Sequence, residues 1–159
     1  MKRLLGLGIA VAIIATSSAT WAAGAPPSPE QQAAGDIQTR QGLFKVLAAQ
    51  FGPVGGMMRN QVPFDAAVVA KNAARLETLA GIIPEVFAND TSKFTATPSK
   101  ALPGIWNAQA DFKTKADGLA TAAAALAAAA KGGDQAATLK AAAGIGTACG
   151  ACHDAYRAK

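Results

Sequence analysis

Four stretches of this chain repeat an apolar residue at every seventh position, and that spacing constrains the fold more than any other feature. In the first, roughly residues 31–59, Ile37, Phe44, Phe51 and Met58 fall seven apart, with Leu47 and Val54 between them. The second opens near Asp65, a suitable N-cap, and runs to about Ile82, with Val69, Leu76 and Ile83 at the same spacing. The third runs from Leu102-Pro103 to Lys131 with Ile105, Phe112, Leu119 and Leu126, and Ala116, Ala123 and Ala130 offset by four. The fourth runs from Asp134 to Tyr156 with a stripe of Leu139, Ala142, Gly146, Cys149, His153 and Tyr156. A seven-residue apolar period keeps one face of a helix turned toward its partners, so four such segments predict an all-α fold, an antiparallel left-handed four-helix bundle.

The connections agree. Arg59–Phe64 and Lys131–Asp134 are short and demand antiparallel neighbours, while Asn89–Ala101 is a longer polar loop. Pro53 with Gly55-Gly56 should bend or loosen the first helix, and Pro84 should stop the second. The alanine-rich tract Leu119–Lys131 follows Asp111, Lys113, Lys115 and Asp117 closely and is too short for a membrane span. It reads as a long helix whose small side chains let a neighbour, or a bulky ligand, come close.

At the N-terminus, Lys2 and Arg3 precede an apolar run, Leu4 to Ile14, and then small residues. This order is that of a cleaved secretory signal peptide, too short to anchor in a bilayer. Thr20-Trp21-Ala22 supplies one cleavage site, and Ser17-Ser18-Ala19 would also serve. The expected organisation is a signal peptide over 1–22, a Pro-containing lead-in over 23–34, and the bundle domain over 35–159. Export to the periplasm is expected, with no membrane attachment after cleavage. Losing the two charges of Lys2 and Arg3 takes the net charge from +5 to +3. The remaining basic residues are interleaved with acids and lack the aromatic spacing of a nucleic-acid surface.

Both cysteines and the only histidine fall within the last eleven residues, in Cys149-Gly150-Ala151-Cys152-His153. A disulfide between residues three apart closes almost no loop and has poor geometry. C-x-x-C-H is the attachment pattern of a c-type haem. On a helix, residues three apart share a face, so two thiols can meet the two vinyl groups of one porphyrin. His153 then stands under the iron as an axial ligand, and Asp154 or a backbone carbonyl can orient its other nitrogen. A redox-active dithiol needs a strand and a helix N-terminus to lower its pKa, and neither is in prospect here. Zinc would find only three good ligands. One covalently bound haem c per chain is the reading. No constellation for turnover of an organic substrate appears, so the chain is not read as an enzyme.

Arg40-Gln41-Gly42-Leu43-Phe44, Phe51-Gly52, Ile105-Trp106 and the final Cys149–Arg157 motif together resemble the cytochrome c-prime family. The resemblance spans nearly all of the mature chain. It implies a haem near the C-terminus, Arg40 and Gln41 on the propionate side, and Phe44 over the distal face of the iron. It places Arg157 beside the proximal histidine and Trp106 and Tyr156 around the porphyrin. Many relatives carry an acid just before the Ile-Trp pair, where this chain has Gly104. Low-spin relatives carry methionine at the Phe44 position, and phenylalanine cannot bind iron. Met57 and Met58 lie about 20 Å further along the same helix and should not substitute.

The expected function is therefore a five-coordinate haem protein that binds small gases, nitric oxide and carbon monoxide, and can pass single electrons to a redox partner. A low-spin carrier with an unrecognised sixth ligand is the competing expectation, and a thiol–disulfide oxidoreductase the competing class. The resemblance also implies a homodimer through the first two helices, with Leu43, Val46 and Val68 as surface.

Overall fold

The computed structural model describes residues 26–159, so the expected signal peptide lies outside the described residues. The elements are α1 (Pro29–Met58), α2 (Ala66–Val86), a single-turn α3 (Gly104–Asn107), α4 (Gln109–Lys131) and α5 (Gln135–Tyr156). An isolated antiparallel bridge joins Ala101 to Arg157. α1, α2, α4 and α5 form the four-helix bundle.

Local chemistry sets the helix ends. Ser28 and Gln31 form a capping box: the Gln31 amide N–H donates to Ser28 Oγ at 3.3 Å, and Ser28 N–H to Gln31 Oε1 at 2.8 Å. With Pro29 in the first turn, α1 begins within the expected lead-in. Asp65 caps α2 by accepting from Val68 N–H at 3.0 Å, and Asp134 caps α5 by accepting from Ala137 N–H at 2.7 Å. α1 continues through Pro53 to Met58. Beside that proline, buried Asn72 of α2 donates to the Gln50 carbonyl at 3.0 Å and ties the two helices together.

Two boundaries differ from the sequence reading. α2 does not stop at Pro84 but runs two residues past it, to Val86, with Phe87 as its C-cap. A proline has no N–H to give, but its φ suits a helix, and this helix end is held from outside by α1. The third segment is two helices, broken at Ala108 (φ −134°, ψ 48°). Ile105 and Phe112 are both buried across that break, so the apolar period runs on without revealing it.

α4 lies along α2 and against α5, and α1 packs on α2, whereas α1 and α5 meet only over a short stretch. Val54, Val69, Ala73, Ala123, Leu126 and Ala142 are wholly buried. The alanines let α4 approach its neighbours closely, and a Cβ added at Gly144 would lie 4.0 Å from that of Ala122. Of the three residues expected on a dimer surface, Val46 is exposed, while Leu43 and Val68 are half-buried against the core. Among the described residues no helix is long and apolar enough to cross a membrane. The close α2–α4 packing predicts that Ala123→Leu lowers stability by about 1–3 kcal/mol through overpacking, measurable by denaturant unfolding.

Candidate functional site

Where α1 and α5 part, the bundle holds a partly open cavity of about 670 Å³, within the range of about 300–1,000 Å³ typical of ligand sites. α1 contributes Ile37, Phe44, Leu47 and Phe51 to its walls, α2 Leu76, Ile83 and the capping Phe87, and α4 Phe112, Ala116 and Leu119. α5 contributes Ile145, Ala148, Cys149, Cys152, His153 and Tyr156. Lys45, Lys100, Lys115 and Arg157 also border it. The surroundings are thus apolar in body and cationic in part.

The helical spacing brings both thiols and His153 to this one cavity. Burial pushes the thiol pKa up at Cys149 and at Cys152, with the Lys115 cation pulling the latter back in part. Both thiols lie in the last two turns of α5, far from its N-terminus. A redox-active dithiol needs the opposite shift and the opposite helix end. Desolvation and the neighbouring Arg157 lower the His153 pKa against the pull of Asp154, a shift toward the neutral imidazole, the form that binds metal. Among the described residues no group of three or more His, Cys, Asp or Glu side chains could hold a metal ion by itself, which disfavours a zinc site.

Phe44 is 37% exposed and lies across from α5 in the same cavity. Its ring meets Phe87 edge-on, with centroids 6.2 Å apart and planes at 63°. Neither Met57, which is buried, nor Met58, which packs against the core, reaches the cavity. Gln41 lines the cavity, but its side-chain amide donates to the Pro98 carbonyl at 2.9 Å. Arg40 also lines it, with a guanidinium that is nearly fully buried and hydrogen-bonded to the loop after α2. Burial lowers the Arg40 pKa while Asp36 and Asp90 raise it, and a guanidinium stays charged in any case. Trp106 is not a cavity residue. Its indole N–H donates to the Phe87 carbonyl at 2.9 Å, and its ring borders a separate hollow beneath the loop.

Sequence reasoning missed Phe87, Phe112, Lys45, Lys100 and Lys115 as cavity residues. Phe112 stands on the seven-residue stripe and reads as ordinary core; Phe87 lies beyond Pro84, where the helix was expected to have ended. At Gly104 an added Cβ would meet the Tyr156 ring at 3.9 Å. The C-terminal turn is fastened on two sides. Tyr156 O–H donates to the Asp111 carboxylate at 2.5 Å, and Ala158 N–H donates to the Lys100 carbonyl at 2.8 Å.

These residues fit a covalently held haem. Two thiols one turn apart and an imidazole border one largely apolar cavity, and the nearby cations suit a ligand carrying carboxylates. The Asp111 hydrogen bond, together with desolvation, pushes the Tyr156 pKa up to about 12. A raised folded-state value stabilises the fold fully below the unfolded pKa near 10, and that contribution is lost as pH climbs through about 12. Tyr156 is the sole tyrosine, so carbon-13 labelling of its ring gives one unambiguous NMR titration. Asp111→Asn should bring its midpoint down toward 10.

A family model described as Cytochrome C' matches residues 36–157. The chain is 42% identical over 124 residues to cytochrome c-554 of Cereibacter sphaeroides, covering 77% of this chain and 80% of that one. It is equally identical over 124 residues to cytochrome c' of Rubrivivax gelatinosus, covering 77% and 94%. Cytochrome c prime from Shewanella frigidimarina superposes with a TM-score of 0.73 at 38% identity, covering 80% and 97% of the two chains. Solved relatives from Alcaligenes xylosoxidans include a variant in complex with nitric oxide (TM-score 0.70, 32% identical, covering 80% and 97%). Another is a variant with bound carbon monoxide (TM-score 0.68, 33% identical, covering 78% and 94%). The chain belongs to the cytochrome c' family, and its cofactor is covalently bound haem c.

Proposed function

We propose that this chain is a periplasmic, gas-binding cytochrome c' whose haem iron is five-coordinate. Cys149 and Cys152 would hold the cofactor as thioethers, and His153 would be the protein's one ligand to its iron. When bound, haem c supplies an iron that takes up a diatomic ligand or exchanges one electron. Everything else is the work of the chain's own side chains.

The observation that carries this reading is the asymmetry of the cavity. The His153 imidazole stands on the α5 side. Across from it the apolar part of the wall offers Phe44, Leu47, Phe51 and Phe87, none of which can bind iron, while Lys45 borders the cavity from the same helix as Phe44. Met57 and Met58, the remaining thioethers of the described chain, lie elsewhere. An apolar distal wall gives no donor to a dioxygen ligand carrying partial negative charge, whereas nitric oxide and carbon monoxide depend less on one. The nitric oxide and carbon monoxide complexes of the Alcaligenes relatives support the same ligand class. Phe44 must give way to any distal ligand, which slows entry on that side. The family resemblance suggests a second route for nitric oxide, on the His153 side of the cavity, where Arg157 would stand close to the incoming ligand. Slow electron exchange with a redox partner is compatible with the same site, and a homodimer through α1 and α2 would place Val46 at its surface. Turnover of an organic substrate is not proposed.

Absorption spectra of the ferric and ferrous protein, with and without nitric oxide and carbon monoxide, test the proposal. High-spin spectra that shift with nitric oxide are expected. Phe44→Met should turn the ferric spectrum low-spin by placing a thioether over the iron. A low-spin wild type indifferent to both gases would overturn the five-coordinate reading, and one of the nearby amines, such as Lys45, would then be examined as the sixth ligand.

A further inference from the structure

α2 has no basic residue in its last turn, so the carbonyls at its negative end lack a cation of their own. α1 supplies one. Arg40, 3% exposed, reaches across and donates through Nε to the Val86 carbonyl, through Nη2 to the Asn89 carbonyl and through Nη1 to Thr91 Oγ1, each at 2.6 Å. Three of the five guanidinium N–H groups are thereby engaged at the end of α2 and in the loop that follows. The same guanidinium carbon lies 4.7 Å from the Phe87 ring centroid and 5.3 Å from that of Trp106, positions that add cation–π attraction. Trp106 in turn holds the Phe87 carbonyl through its indole N–H. Phe87 is therefore fixed by its ring, by its carbonyl and by the backbone on both sides. It is also the residue on which Phe44 rests. Arg40 and Phe44 are four apart on α1, so one turn of that helix carries both the clamp and the gate.

We propose that Arg40 is a positioning residue of the distal wall: by clamping the end of α2 it fixes Phe87 behind Phe44 and sets how readily Phe44 yields to an incoming gas. This rests on the gas-binding reading above. It differs from the role implied by family resemblance, in which Arg40 serves the haem carboxylates directly. A lysine keeps the charge but is a point donor on a flexible stem, and it cannot span the three acceptors as a planar fork does.

The test uses haem-loaded wild type, Arg40→Lys and the milder Thr91→Val, which removes only the Nη1 acceptor. Hydrogen exchange at the Trp106 indole and at the amides around Phe87–Thr91 reports on the clamp without any gas. Stopped-flow carbon monoxide association reports on the gate. Faster exchange in both variants is expected, with carbon monoxide association about tenfold faster in Arg40→Lys, the change that about 1.4 kcal/mol off the barrier gives, and a smaller rise in Thr91→Val. A wild type that excludes carbon monoxide while Arg40→Lys admits it would equally support the proposal. Unchanged exchange overturns the clamp. Faster exchange with unchanged association, or with neither protein admitting the gas, overturns the gate. A reduction potential that moves in Arg40→Lys while both other readouts stay put assigns Arg40 to the carboxylates instead and overturns the proposal. A low-spin wild type would sink the gas-binding reading separately, since the exchange experiment still decides the clamp.

Discussion

A bundle that packs tightly along α2 and α4 but lets α1 and α5 diverge must line the resulting space with side chains that no partner helix covers. In this protein those side chains are mostly apolar, and water is a poor neighbour for them. The rest of the site depends on that divergence. It gives Cys149 and Cys152 a common chamber to face, places His153 beside them, and leaves the α1 wall opposite. A group with a broad apolar body and carboxylates at its edge satisfies these walls and the cations near them together. The covalent link then places the cofactor at a fixed point on a helix rather than relying on affinity alone.

The fastening of α5 matters for the same reason. Its last turn carries His153, and it is held by Tyr156 on Asp111, by the edge-on contact of Tyr156 with Phe112 at 5.4 Å, and by the bridge between Ala101 and Arg157. Phe112 also lies 5.0 Å from Phe87, so a continuous aromatic row runs from Phe44 through Phe87 and Phe112 to Tyr156. The side of the cavity that carries the histidine and the side that carries Phe44 are thereby parts of one packed unit.

Much of this could be read from the chain before any coordinates. The seven-residue period located four helices because burial imposes it, and the C-x-x-C-H spacing located the thiols because one turn of helix aligns them. Asp65 and Asp134 announced two helix starts through their side-chain oxygens. What escaped was set by contacts distant in sequence. Helix α2 continues past Pro84 and is held by an arginine more than forty residues earlier, which no local signal reveals. The break at Ala108 hides behind an unbroken apolar stripe. The resemblance implies a place for Arg40 on the cofactor side, and Arg40 does line the cavity, but no sequence signal shows that three of its nitrogens also reach the end of α2 and the loop after it, or that Trp106 lies outside the cavity wall. Both facts follow from tertiary placement and not from the residue types.

The most direct test of the account is the mass of the peptide spanning the two thiols, taken from protein exported by a host that attaches haem c. After unfolding, alkylation of free thiols and proteolysis, the peptide containing Cys149, Cys152 and His153 should carry one haem and no alkyl group. Recovery of that peptide without haem and with both cysteines alkylated would contradict the account, leaving Cys149 and Cys152 as two free thiols beside a cavity meant for something else.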